Sequence, residues 1–190
     1  MIARLALLVG LALPAAAQDA PDAVLRIGRA TDAPGCTAFL VAPDAALTAG
    51  HCARRLPVRL HAGWRDGRIA RSRLAEDPRR PTDGTARQAD QARLRLLAPF
   101  PGVTPLETGP PPAPGSTVTV PAYPRHAPAR ETATCRVLAR SGPEILLDCP
   151  ARTGMSGAPL LQGGRAVGIL THRVGPRRSL GSAIAPDLLD

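Results

Sequence analysis

The chain has 190 residues, enough for one domain or two small ones, and carries a formal charge of +9. All 24 basic residues are arginine, which reads first as codon bias on a solvated surface and second as attraction to an acidic substrate, polyanion or anionic surface. Aromatic residues make up 2%, too few for the stacking platforms of single-strand nucleic-acid binders; no helix-turn-helix or zinc-ligand spacing occurs, so neither nucleic acid nor metal is expected as a partner.

The N-terminus, "MIARLALLVGLALPAAAQDA", is an arginine, an apolar run and small residues. That is the layout of a secretory signal peptide over residues 1–17, with Ala15-Ala16-Ala17 fitting the cleavage rule and the exported chain starting near Gln18. The run from Leu5 to Leu13 is too short to span a membrane, and no later stretch is apolar enough. The protein is therefore expected in a periplasm or outside the cell, with no membrane contact after signal removal, as a monomer. Its four cysteines, Cys36, Cys52, Cys135 and Cys149, suit an oxidising compartment and two disulfides, with three pairings open.

The rest reads as short strands, with no long helical periodicity. "TAFLVAP" (37–43) and "AALTAG" (45–50) form two strands around a Pro-Asp turn. "VRLHAGW" (58–64) and "RIARSRLA" (68–75) flank an Asp-Gly turn at 66–67, a hairpin signal, and "ARLRLL" (92–97) alternates. The segment from 99 to 115 is rich in proline and glycine and reads as a connection between an N-terminal unit, 18–98, and a C-terminal unit, 116–190. Beyond it, strands are expected at 116–123, 132–139, 144–149, 158–162, 166–172 and 180–185. Two small β-barrels follow from this spacing and divider.

Three places could carry chemistry. His51 in "LTAGHC" follows a strand and directly precedes Cys52. Asp90 in "ADQARLRLL" stands at the mouth of a strand. Ser156 in "TGMSGAPLL" lies two residues after Gly154, whose backbone freedom lets the N–H groups of Gly154 and Ser156 aim at one point. Each alone is weak, since most histidines are structural and most Ser-Gly pairs are turns. Together they supply a nucleophile, a base, an orienting acid and an oxyanion site.

These segments resemble trypsin/chymotrypsin-like serine peptidases. "CTAFLVAPDAALTAGHC" resembles their cysteine-bracketed histidine segment, "DQARLRL" their Asp-x-Ala-x-x-x-Leu, and "TGMSGAPLL" their Gly-Asp-Ser-Gly-Gly-Pro. "AVGILTH" resembles the strand that follows. The similarity covers nearly the whole chain after the signal and is greatest to compact bacterial secreted members, including the glutamyl-endopeptidase-like group. It implies an all-β fold of two perpendicular six-stranded Greek-key barrels with the active site in the cleft between them. His51 and Asp90 would come from the first barrel and Ser156 from the second, acting on peptide or protein substrates without a cofactor.

Three positions depart from the family pattern. Met155 stands where an aspartate usually receives a freed N-terminal amine, so activity is expected without zymogen activation, although "RIGR" (26–29) faintly resembles an activation site. Ala158 and Gly50 replace other small residues. By the same resemblance the specificity pocket would be lined by Pro150, Ala151, Arg152 and Thr153 and by Leu170, Thr171, His172 and Arg173. Pro150 falls where trypsin-like cutters carry an aspartate, so no preference for basic side chains is expected. Arg152, His172 and Arg173 favour an acidic side chain; if they face water, the pocket takes small or apolar ones. The alternative function is a catalytically silent homologue that binds a partner or polyanion through its arginines. The remaining histidines, His61 and His126, and Trp64 read as structural.

Overall fold

The computed structural model of the protein describes residues 22–28, 35–54, 57–63, 71–79 and 90–190. The signal-like segment, the Asp-Gly turn at 66–67 and Trp64 lie outside them. The first barrel contains β1 (Val24–Ile27), β2 (Cys36–Ala42), β3 (Ala45–Ala49), β4 (Val58–Ala62), β5 (Arg71–Arg79) and β6 (Gln91–Leu96). The second contains β7 (Thr117–Ala122), β8 (Glu131–Ser141), β9 (Glu144–Asp148), β10 (Pro159–Gln162), β11 (Arg165–Arg173) and β12 (Ser179–Ser182). Each closes on itself, in the orders β1-β2-β3-β6-β5-β4 and β10-β11-β12-β9-β8-β7. All pairings are antiparallel, so closure removes the open edges that two separate sheets would leave. Among the described residues there are, apart from strands, two short 3-10 turns, Gly50–Ala53 and Pro186–Leu188.

β1 is the strand that sequence patterning did not mark. "VLRI" is four residues long and contains an arginine, yet all four are buried. Arg26 lies directly opposite His61 of β4, so Arg26 and Ile27 of the segment that resembles an activation site belong to a closing strand of the barrel. The last strand ends at Ser182 rather than Ala185, because the next backbone groups bond elsewhere: Ala183 N–H to the Pro143 carbonyl, and Ala185 N–H to the Gln91 side chain.

Aliphatic and alanine side chains fill both barrels, as the composition requires. The first core extends past its barrel to Leu161, Ala166, Ile169, Ala185 and Leu188. That shared apolar seam holds the two barrels together. The connection from 98 to 115 runs along both: Leu106 N–H donates to the Leu40 carbonyl in β2, and Thr108 forms an isolated parallel bridge to Ala166 in β11. The disulfides take the local pairing, Cys36–Cys52 and Cys135–Cys149.

His61 is fully buried and its Nε2 lies 2.6 Å from the Gly28 carbonyl, which leaves Nδ1 without a partner among the described residues. Burial lowers its pKa; the Gly28 bond opposes this, and Arg26 and Arg59 lower it further. The folded state therefore takes up this proton less readily than the unfolded chain, whose imidazole has the ordinary value of 6.5. Stability is complete above that value and falls as pH drops below it. In His61→Gln, whose carboxamide can still donate to Gly28, the loss of melting temperature between about pH 7 and about pH 5 should be smaller than in the wild type. Equal losses would remove His61 as the cause.

Candidate active site

Strand register brings His51 and Asp90 together. Ala49, the last residue of β3, pairs with Gln91, the first of β6. His51 lies two residues past one end and Asp90 one residue before the other. Asp90 then secures the 3-10 turn: its carbonyl accepts the Gly50 N–H at 2.9 Å and its Oδ1 accepts the His51 N–H at 2.8 Å. Oδ2 lies 2.8 Å from His51 Nδ1. An ionised carboxylate only accepts, so this contact fixes the proton on Nδ1 and leaves Nε2 as the basic nitrogen. Burial alone raises the Asp90 pKa, but the ring hydrogen bond from His51, the charges of His51 and His172 and the His51 backbone N–H together hold it below the ordinary carboxylate value.

Ser156 is presented by two consecutive β-turns. Met155 N–H donates to the Arg152 carbonyl and Ala158 N–H to that of Met155. The third residue of each turn is a glycine at positive φ, Gly154 at 96° and Gly157 at 85°, the pattern of type II turns. Neither site has room for a side chain. A Cβ on Gly154 would meet the backbone of Tyr123 and Arg125; one on Gly157 would meet the Thr37 carbonyl and the Thr48 hydroxyl. Met155 between them is buried in the second core.

The turns rest on Thr37, a fully buried residue of β2. Its N–H donates to the Ser156 carbonyl at 2.8 Å, and its hydroxyl donates to the Gly154 carbonyl at 2.8 Å while accepting the Tyr123 N–H at 2.9 Å. Its own carbonyl accepts the Thr48 hydroxyl at 2.7 Å. The carbonyls of Gly154 and Ser156 are thus drawn toward the first barrel. Among the described residues, the N–H groups of Gly154 and Ser156 have no partner. Beside Asp90, fully buried Gln91 ties the barrels a second time: its Nε2 donates to Ser182 Oγ and the Ala183 carbonyl, and its Oε1 accepts the Ala185 N–H.

His51, Gly154 and Ser156 line one cavity of about 320 Å³. Of the expected pocket residues, Ala151, Arg152, Thr153, Leu170, Thr171, His172 and Arg173 also line it. Pro150 is exposed and does not, so it forms no pocket base. Gly35 joins the lining from the first barrel. The Arg152 guanidinium pairs with Glu131 of β8. Ser156 Oγ makes a long, weak hydrogen bond of 3.4 Å to the Thr171 carbonyl. Cys36, His51 and Cys52 form a metal-like cluster by spacing, but the two sulfurs are bonded to each other and offer no thiolate.

Sequence reading missed Thr37, Thr48 and Gln91. Threonine is an ordinary strand residue, and a glutamine at a strand start carries no motif. The one available signal was a polar residue, Thr37, at the head of the apolar run that follows Cys36.

Residues 36–169 match the trypsin-like peptidase domain family. Three solved structures share the fold. A neuropsin, described as a serine protease expressed in the limbic system of mouse brain, is 14% identical, with 87% of this chain and 90% of that one covered and a TM-score of 0.74. A Glu endopeptidase bound to MPD is 17% identical, with 88% and 87% covered and a TM-score of 0.75. A scabies mite inactivated protease paralogue is 15% identical, with 89% and 90% covered and a TM-score of 0.74. No curated protein matches the chain.

Thr37→Val preserves shape and strands the buried Tyr123 N–H and Gly154 carbonyl, which should cost on the order of 3 kcal/mol in urea unfolding. Thr37→Ser keeps the hydroxyl and should lose less. Valine and serine variants of equal stability would contradict the role of the hydroxyl.

Proposed function

Because the chain belongs to the trypsin-like peptidase family and is a serine-type endopeptidase, we propose that it is an exported enzyme in which Ser156, His51 and Asp90 cleave peptide bonds through an acyl-enzyme. The observation that carries this reading is one cavity lined by Ser156, by Gly154 and by His51 on its carboxylate, with the N–H groups of Gly154 and Ser156 unpartnered among the described residues.

His51 Nε2 takes the Ser156 proton as Oγ attacks the substrate carbonyl carbon. The oxygen of that carbonyl becomes an oxyanion and accepts from the Gly154 and Ser156 N–H groups, each worth about 3 kcal/mol in such sites. Asp90 holds the Nδ1–H tautomer and stabilises the imidazolium. His51 then returns the proton to the leaving amine as the C–N bond breaks. Water, deprotonated by the same nitrogen, releases the acid and regenerates the Ser156 hydroxyl. Since the Asp90 pKa lies below the ordinary carboxylate value, protonation of Asp90 does not set the acid limb of activity.

Met155 supports activity without a freed N-terminus: buried and apolar, it offers no carboxylate for an amine. The cavity lining carries Arg152, His172 and Arg173 and no carboxylate, which disfavours basic side chains before the scissile bond and favours acidic ones. The apolar signal-like segment and the two disulfides support export. The inactivated mite paralogue shares the fold, so fold alone does not decide activity. A silent, polyanion-binding role would need neither the His51–Asp90 contact nor the open amide pair.

Expressed from Gln18 under oxidising conditions and left unprocessed, the protein should gain one fluorophosphonate adduct by intact mass, and Ser156→Ala none. Asp90→Asn should lower kcat by about 10⁴-fold with little change in fold. A folded, disulfide-bonded wild type that takes no adduct would overturn the reading. In a peptide library, cleavage should concentrate after Glu or Asp. Cleavage after Lys or Arg would contradict the cavity chemistry.

A further inference from the structure

Asp90 faces two histidines. Besides the 2.8 Å contact to His51 Nδ1, the same Oδ2 lies 3.7 Å from Nε2 of His172. The two imidazole centroids are 5.9 Å apart and tilted by 48°. His172 sits on β11 at the cavity wall with its side chain about half exposed, 48%. We propose that His172 is a positioning residue: it shares the Asp90 carboxylate with His51, so that a positive charge at position 172 slows hydrolysis. The inference rests on the catalytic roles proposed for His51, Asp90 and Ser156.

The physical reason is competition for one anion. With His172 neutral, the Asp90 charge serves His51 alone. When His172 takes a proton, a cation stands on the other side of Oδ2 and about one ring spacing from His51. The charge of His172 acts on Asp90 in the same direction as that of His51. The imidazolium that His51 must become in the transition state then meets a like charge and a carboxylate already partly neutralised. The other charges near His172 are fixed: Arg173 beside it on β11 and Arg152 across the cavity. Its partner strand contributes uncharged Leu180 opposite it.

The test is the pH dependence of kcat on an uncharged peptide anilide, with active sites counted by fluorophosphonate, for the wild type, His172→Gln and His172→Arg. Glutamine removes the proton uptake, and arginine makes the charge permanent. As pH falls, kcat of the wild type should drop more steeply than that of His172→Gln, and His172→Arg should lie below His172→Gln throughout. At about pH 8, kcat of His172→Arg should lie about tenfold below that of His172→Gln, the scale of a like charge at this distance after screening. Three superimposable profiles in active, labelled enzymes would overturn the inference and leave the triad intact. A wild type that is neither active nor labelled would overturn the reading of the site itself.

Discussion

The hydrogen bonds of Thr37 are the constraint on which the rest of this molecule depends. Neither barrel alone contains the proposed site. His51 and Asp90 belong to the first, and Gly154 and Ser156 to the second. Thr37 reaches from β2 to the carbonyls on either side of Met155 and to the N–H of Tyr123. Among the described residues, the N–H groups of Gly154 and Ser156 themselves have no partner. Gly157 permits this approach, since any side chain there would strike the Thr37 carbonyl. Gln91 repeats the logic one residue from Asp90, so each half of the site is next to a buried polar tie to the other barrel. Such ties are demanding: removing one partner leaves buried groups unpaired.

Composition explains why polar ties and disulfides matter here. With few aromatic residues, the cores are built from alanine and aliphatic side chains. The disulfides stand at the two segments that carry the chemistry. Cys36–Cys52 joins the strand of Thr37 to the turn of His51, and Cys135–Cys149 anchors the end of β9 just before the Ser156 turns. Closing loops of this length contributes about 3 kcal/mol each in the chain-entropy account.

What the sequence made legible was whatever local chemistry announces. Strand alternation, the Pro-Asp turn and the proline-rich connection marked most of the strands, and three short motifs marked His51, Asp90 and Ser156. What stayed hidden is set by partners distant in the chain. β1 has no alternation because its residues are buried on both faces, and it exists as a strand because β2 and β4 pair with it. Thr37 meets Gly154 across 117 positions and Gln91 meets Ala183 across 92, so no window of sequence contains either pair. The disulfide pairing was open for a different reason: the partners are only 16 and 14 positions apart, but cysteine spacing alone does not choose among the three pairings. The pocket shows the limit of spacing arguments: seven of the eight expected residues line the cavity, while Pro150, placed by counting back from Ser156, faces solvent.

The central proposal is that Thr37 and the two glycine turns hold the N–H groups of Gly154 and Ser156 as a preformed pair of donors beside the Ser156 hydroxyl. A crystal structure of the enzyme after reaction with the fluorophosphonate tests it directly, because the phosphoryl oxygen stands where the oxyanion forms. The account predicts phosphorus bonded to Ser156 Oγ, with that oxygen accepting from the N–H groups of both Gly154 and Ser156 at about 2.7–3.1 Å. An adduct on another residue, or a phosphoryl oxygen turned away from both amides, would contradict it.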